Sequence, residues 1–193
     1  VTVVTSTNPG EGKSTVAINL ASALAQMESV LLIDADLRRP SIAAAFKFPS
    51  GTPGLSNVLA LSARVDDCVQ KTEAGFDVLP AGVLPPNPQE ILATQQFRKL
   101  LKQLGEHYDR IIIDSAPINA VSDSLILATL ADSLVYVAKA DETPLKLILK
   151  NINLIKHSNL PITGVVLNRL DTKKQRGYGK GGYYGTYESY GHA

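Results

Sequence analysis

Six short apolar runs, each rich in Val, Ile or Leu, punctuate the chain: Val1 to Thr5, Val30 to Ile33, Phe76 to Leu79, Ile111 to Ile113, Leu134 to Val137 and Ile162 to Leu167. Their apolarity is continuous rather than alternating, which predicts strands buried on both faces. Between them, apolar residues recur at helical spacing. Ala17, Leu20, Ala21 and Leu24 share one helical face, and Leu145, Ile148, Leu149, Ile152 and Ile155 share another. Strands alternating with helices predict an α/β fold, a mostly parallel β-sheet sandwiched by helices.

The stretch from Pro40 to Gly75 is less regular and reads as an excursion from the sheet, with a turn at Gly51-Thr-Pro-Gly54 and a short helix over Leu55 to Leu61. Prolines in Leu84-Pro-Pro-Asn-Pro88 make residues 80 to 88 a connecting loop before helical segments near Gln89 to Ala93 and Gln95 to Gly105. From Gly177 onward Gly and Tyr dominate without apolar periodicity. Such a segment buries too little surface to offset its ordering entropy. The expected organisation is therefore one domain over residues 1–170 and a flexible Gly/Tyr-rich C-terminal tail over 171–193.

A length of 193 residues with 45% hydrophobic content suits one buried core rather than two. A formal charge of +1 gives no support to a nucleic-acid partner, although Lys173, Lys174, Arg176 and Lys180 make the tail locally basic. The single cysteine, Cys68, has no partner for an intramolecular disulfide, and three isolated histidines lack zinc-ligand spacing. No apolar run reaches the roughly 18 to 20 residues that span a bilayer. Because the first residue is Val1 and a strand begins there, the chain is expected to start inside a longer polypeptide, with any membrane anchor outside it.

Chemistry concentrates in three segments. In Pro9-Gly10-Glu11-Gly12-Lys13-Ser14-Thr15 the glycines let backbone amides turn toward phosphate oxygens, Lys13 supplies a point charge, and Ser14 offers a hydroxyl to Mg²⁺. An apolar strand before the loop and an amphipathic helix after it supply the strand–loop–helix setting that this motif requires. Thr7 stands where the common pattern has its first glycine, so that position must take a conformation open to a β-branched residue.

Asp34 and Asp36 follow the second strand, at the edge where ligands collect in open α/β sheets. Two-residue spacing lets one carboxylate serve a metal or water while the other accepts a proton. The bland alternative is a turn cap and a solvated charge. Asp114 ends the run Ile111 to Ile113, the place of a Mg²⁺ carboxylate in a phosphate-loop enzyme. Asp109 and Arg110 read as solvated loop charges. Arg38 and Arg39 either clamp phosphate, meet a neighbouring subunit, or are solvated or paired.

With Pro9 to Thr15, Asp34-Ala-Asp-Leu-Arg-Arg-Pro40, Asp114-Ser-Ala-Pro117 and a tyrosine-rich terminus together, the chain resembles the cytoplasmic kinase domain of bacterial tyrosine kinases over essentially its whole length. The resemblance implies ATP- and Mg²⁺-dependent phosphorylation of terminal tyrosines between subunits. Lys13 and Ser14 match the Walker A positions, Asp34 and Asp36 the Walker A′ pair, and Asp114 the Walker B carboxylate. It also implies Lys13, Asp34 and Asp36 as catalytic residues, with Asp34 accepting the tyrosine proton, and Ser14, Asp36 and Asp114 as metal-holding residues. In the wider group of deviant phosphate-loop ATPases, an asparagine ending a late strand reads the adenine, the position of Asn168 here; a simple turn cap before Arg169 is the local alternative.

The phosphoacceptors so implied are Tyr178, Tyr183, Tyr184, Tyr187 and Tyr190. The implied partners are further copies of the chain, a membrane-spanning segment or activator protein that tethers it to the inner face of a bacterial plasma membrane, and a cognate phosphatase. The implied process is polymerisation and export of capsular or extracellular polysaccharide. Two rivals share some of these features: a partitioning or cell-division ATPase switch, whose tail need not contain tyrosine, and a non-enzymatic binding module with an adhesive tail. An iron–sulfur scaffold lacks the cysteines it would need.

Overall fold

The computed structural model describes residues 1–171. Its elements run β1 (Thr2–Ser6), α1 (Lys13–Leu24), β2 (Val30–Asp34), α2 (Ile42–Ala45), α3 (Leu55–Leu59), α4 (Val65–Cys68), β3 (Gln70–Lys71), β4 (Asp77–Leu79), α5 (Pro88–Leu92), α6 (Gln95–Leu104), β5 (Arg110–Asp114), α7 (Asp123–Ala128), β6 (Ser133–Lys139), α8 (Leu145–His157) and β7 (Ile162–Asn168). Pro88 opens α5, where its missing N–H costs nothing, and the Thr94 hydroxyl caps α6 by accepting from the Phe97 amide at 3.3 Å. None of the described helices is long and apolar enough to cross a membrane. Apart from Asp171, the predicted tail, with its five tyrosines, lies outside the described residues.

The strands form one sheet in the order β3-β4-β2-β5-β1-β6-β7, parallel except for the β3–β4 pair. Successive residues of the central strands bury on opposite faces. Val3, Leu31, Ile33, Ile111 and Ile113 pack toward α3, α5 and α6, while Val4, Val30, Leu32 and Ile112 pack toward α1 and α2. This is the helix-covered parallel sheet that unbroken apolar runs require. A third apolar group, including Leu134, Tyr136 and Ala138 of β6, meets Ile155 of α8.

Three expectations are corrected. The two-residue strand β3 lies inside the segment read as an excursion and adds an antiparallel edge. The last run, expected to be buried on both faces, forms edge strand β7, and Val165 and Leu167 are 49% and 52% exposed. On α8 the buried positions are Asn151 and Ile155, whereas Leu145 and Leu149 face solvent. A polar residue thus sits in the middle of that helix's inner face, because a tyrosine hydroxyl waits beneath it.

Candidate phosphate-binding site

β1 lies between β5 and β6, so the chain's strand order switches direction at its carboxyl end. The loop from Thr7 to Gly12 emerges there and leads directly into α1. Gly10 and Gly12 take φ of 83° and 92°, conformations that a side chain disfavours. Gly12 provides no side chain to cap α1, which leaves the helix's first amides available to an anion. Thr7 needs no positive φ. Its hydroxyl meets the Tyr136 Oη at 2.5 Å, so the residue in place of glycine ties the loop to β6.

That bond heads a polar chain, buried at Thr7, Tyr136 and Asn151 and reaching the surface at Asn119, that sequence reasoning missed. Asn151 Nδ2 donates to Tyr136 Oη at 3.0 Å and to Asn119 Oδ1 at 3.2 Å, and Asn119 Nδ2 donates to Asn8 Oδ1 at 3.2 Å. The legible signal was Asn151 itself, three residues after Ile148 and four before Ile155. Glu11, expected among the nucleotide contacts, turns its carboxylate away from the cavity. It accepts from the Asn8 amide at 2.9 Å and from the Thr143 hydroxyl, and so closes the loop on itself and on the start of α8.

Lys13 lies among carboxylates. Its Nζ is 3.0 Å from Asp36 Oδ2, 3.5 Å from Asp114 Oδ1 and 3.3 Å from Ser14 Oγ. Burial alone would lower its pKa, but Asp114 and Asp36 outweigh that effect and hold it above the ordinary lysine value. Asp34 and Asp114 end adjacent strands in register. Burial, reinforced by the nearby Asp114 charge, pushes Asp34 up to about 7. Burial, partly offset by Lys13, pushes Asp114 up to about 6.

Asp34 and Asp36 have parted roles. Asp34 is fully buried, and its oxygens accept from the amides of Asp36 at 3.2 Å, Ser41 at 3.1 Å and Ile42 at 3.0 Å. It therefore organises the turn into α2 and does not line the open cavity. Asp36 does, with Oδ1 accepting from the Arg39 amide at 3.1 Å. Arg38 is paired: its Nε and Nη2 donate to buried Asp123 at 2.8 and 3.3 Å. Asp109, read as a solvated loop charge, is exposed yet accepts from the Ser29 amide at 2.9 Å, and Arg110 pairs with Glu28.

These residues surround a cavity of about 540 Å³ whose walls include Pro9, Gly10, Gly12, Lys13, Ser14 and Thr15. Asn168 stands beside it, and its Nδ2 donates to the Glu11 carbonyl at 2.8 Å. Asp114 Oδ2 is buried without a hydrogen-bond partner, and the Ser41 hydroxyl donates to Ser14 Oγ at 2.9 Å. A free carboxylate oxygen beside that serine fits Mg²⁺. Among the described residues no cluster of three or more His, Cys, Asp or Glu forms an all-protein metal cage. Few protein ligands, with substrate phosphates completing the shell, is the usual Mg²⁺ arrangement.

Residues 1–162 match a family described as AAA domain, a phosphate-loop family, which implies that the chain binds a nucleotide. The chain is 38% identical over 190 residues to the tyrosine-protein kinase YwqD of Bacillus subtilis, covering 97% of this chain and 78% of that protein. It superposes on the crystal structure of the VpsO kinase domain with a TM-score of 0.86 and 43% identity, covering 88% of this chain and 84% of the other. The septum site-determining protein MinD of Pyrococcus horikoshii, solved with Mg-ADP, shares the fold at a TM-score of 0.72 and 25% identity, over 87% and 69% of the two chains. Other tyrosine-protein kinase relatives are longer: the chain spans 25% of EpsB of Ralstonia solanacearum. A loop closed by Glu11, a lysine among three strand-end aspartates, and close agreement with kinases over nearly the whole chain lead to one assignment: the chain belongs to the bacterial tyrosine-protein kinases, within the AAA-domain phosphate-loop family.

Proposed function

We propose that the chain transfers the γ-phosphoryl group of ATP to tyrosine, and that its own Tyr178, Tyr183, Tyr184, Tyr187 and Tyr190 are acceptors, presented by one copy to another. The observation that carries this reading is Lys13 within 3.0 Å of Asp36 in a cavity floored by the glycine loop and the start of α1. The loop and helix amides hold the phosphates, and Lys13 neutralises charge on their β and γ oxygens. The phosphates compete with Asp36 for the ammonium and so free that carboxylate. Ser14 and Asp114 would hold Mg²⁺, which supplies charge neutralisation at the transferring group.

The acceptor oxygen attacks phosphorus as the bond to the β–γ bridging oxygen breaks, and that oxygen leaves on ADP. A tyrosine hydroxyl has a pKa near about 10, so its proton must leave during the transfer. We assign its acceptance to Asp36, which faces the cavity, rather than to Asp34, whose oxygens hold three amides. Asn168 would meet the adenine from the β7 side. A tethered tail reaches effective concentrations of order millimolar, so no tight tyrosine pocket is needed. Homo-oligomerisation, tethering to the inner membrane face by a segment or activator outside this chain, resetting by a phosphatase, and service to capsular or extracellular polysaccharide export complete the reading.

Mass spectrometry after incubation with ATP·Mg²⁺ tests it. Phosphate should accumulate on Tyr178 to Tyr190 in the native chain and not in Lys13→Met. ATP turnover with an unmodified tail would instead favour the ATPase switch.

A further inference from the structure

The cavity's charged walls are Lys13, Asp36, Arg38, Arg39 and Arg169, four cations against one carboxylate. Lys13 is already matched by Asp36 and Asp114. The arginines fall on two flanks. Arg169 follows β7 and Arg38 and Arg39 follow β2, and these strands lie on opposite sides of β1, from which the phosphate loop emerges. On the proposed reading, in which Asn168 meets the adenine, the base takes the β7 flank, which leaves the β2 flank to the second substrate.

That flank is built to receive an extended segment. Ala120 and Val121, just before the Asp123 that pairs with Arg38, give the cavity an apolar wall suited to a phenol ring. A second cavity of about 290 Å³, lined by residues 86–90, shares Arg38 with the first, so a groove continues past the guanidinium. Asp123 fixes Arg38 through Nε and Nη2. The Arg39 side chain is exposed and, among the described residues, has no hydrogen-bond or ion-pair partner to neutralise it. Glu90 also lines this second cavity, where its carboxylate accepts from Asn87 Nδ2 at 3.2 Å.

We propose that the Arg38–Arg39 flank is the acceptor subsite and that it selects tyrosines with an anionic neighbour. This rests on the kinase reading. In the tail, Glu188 directly follows Tyr187 and lies two residues before Tyr190, with Gly and Ser around them. Tyr178 instead lies between Arg176 and Lys180. Tyr187 and Tyr190 are therefore modified before Tyr178, and Arg39 reads the sign of the flanking charge.

The test uses three synthetic acceptor peptides copying residues 185–193, with position 188 unchanged or carrying E188Q or E188K, offered to the full chain with ATP·Mg²⁺. For an exposed pair of reversed sign, kcat/KM should favour the Glu peptide over the Lys peptide by about five-fold, less at high salt. In Arg39→Ala the ratio should fall toward one, and in Arg39→Glu it should invert. A ratio taken within one protein preparation cancels any loss of folded protein. Equal use of all three peptides by the native chain, or a ratio unmoved by Arg39→Glu, overturns the subsite. ATP hydrolysis with no phosphate on any peptide or on the tail overturns the kinase reading, and the subsite with it.

Discussion

The side-chain amide of Asn168 occupies the space that a β-carbon on Gly12 would need, and from there donates to the Glu11 carbonyl at 2.8 Å. The last strand and the phosphate loop are thus locked together at a loop residue whose φ, 92°, also excludes a side chain without strain.

Gly12→Ala should accordingly fail twice, by collision and by backbone strain. Strain of this kind costs about 1–3 kcal/mol. The chain should still fold, but nucleotide titration should show affinity reduced by at least about ten-fold, since the loop amides lose their aim. Adding Asn168→Ala removes the collision and not the strain, so the double variant should recover part of the melting temperature. Affinity restored fully by the second change would mean that the φ requirement is unimportant.

The chain from Thr7 through Tyr136 to Asn151 makes a separate prediction. Tyr136→Phe keeps the ring volume but strands the Thr7 hydroxyl and the Asn151 amide in a buried setting, which costs about 1–3 kcal/mol of unfolding free energy. Asn151→Leu should cost a similar amount despite being more apolar. Because both variants break one network, the double variant should be destabilised by clearly less than the sum, as denaturant unfolding would show. Additive losses would mean that the two residues act independently.

Much of this architecture was legible. Unbroken apolar runs located the central strands because burial on both faces leaves no room for polar residues, and the loop from Pro9 to Thr15 carries its conformation in its glycines. The helical face of α8 was misread because apolar periodicity counts Leu145 and Leu149 but gives no credit to Asn151, whose partner Tyr136 is 15 residues away in sequence. The edge position of β7 depends on strand order, which local pattern does not encode. The division of labour between Asp34 and Asp36 was equally hidden. Two residues apart, they differ only in which one the α2 amides reach, and that is decided by the path of the chain from Arg38 to Ile42.

The strand-end carboxylates set the direction of the pH dependence. Asp34 and Asp114 are raised from 3.8 to about 7 and about 6, mainly by burial. Between 3.8 and those values the folded chain binds more protons than the unfolded one, so stability falls as pH rises through that interval. Glu28, Asp109 and Asp132, whose values are lowered by hydrogen bonds from Arg110, Ser29 and the N-terminal ammonium, act oppositely, and their contribution is lost only as pH falls below the ordinary carboxylate range. Without nucleotide, the chain should therefore melt at a higher temperature near about pH 5.5 than near about pH 8. Asp114→Asn should flatten that slope while abolishing phosphoryl transfer. A cation beside Asp114 favours its ionised form, so ATP·Mg²⁺ binding should release protons and tighten as pH rises from about 6 to about 8. Calorimetry in buffers of different ionisation enthalpy measures that release. Binding without proton release would show that Asp114 is already ionised in the free chain and that burial does not govern this site.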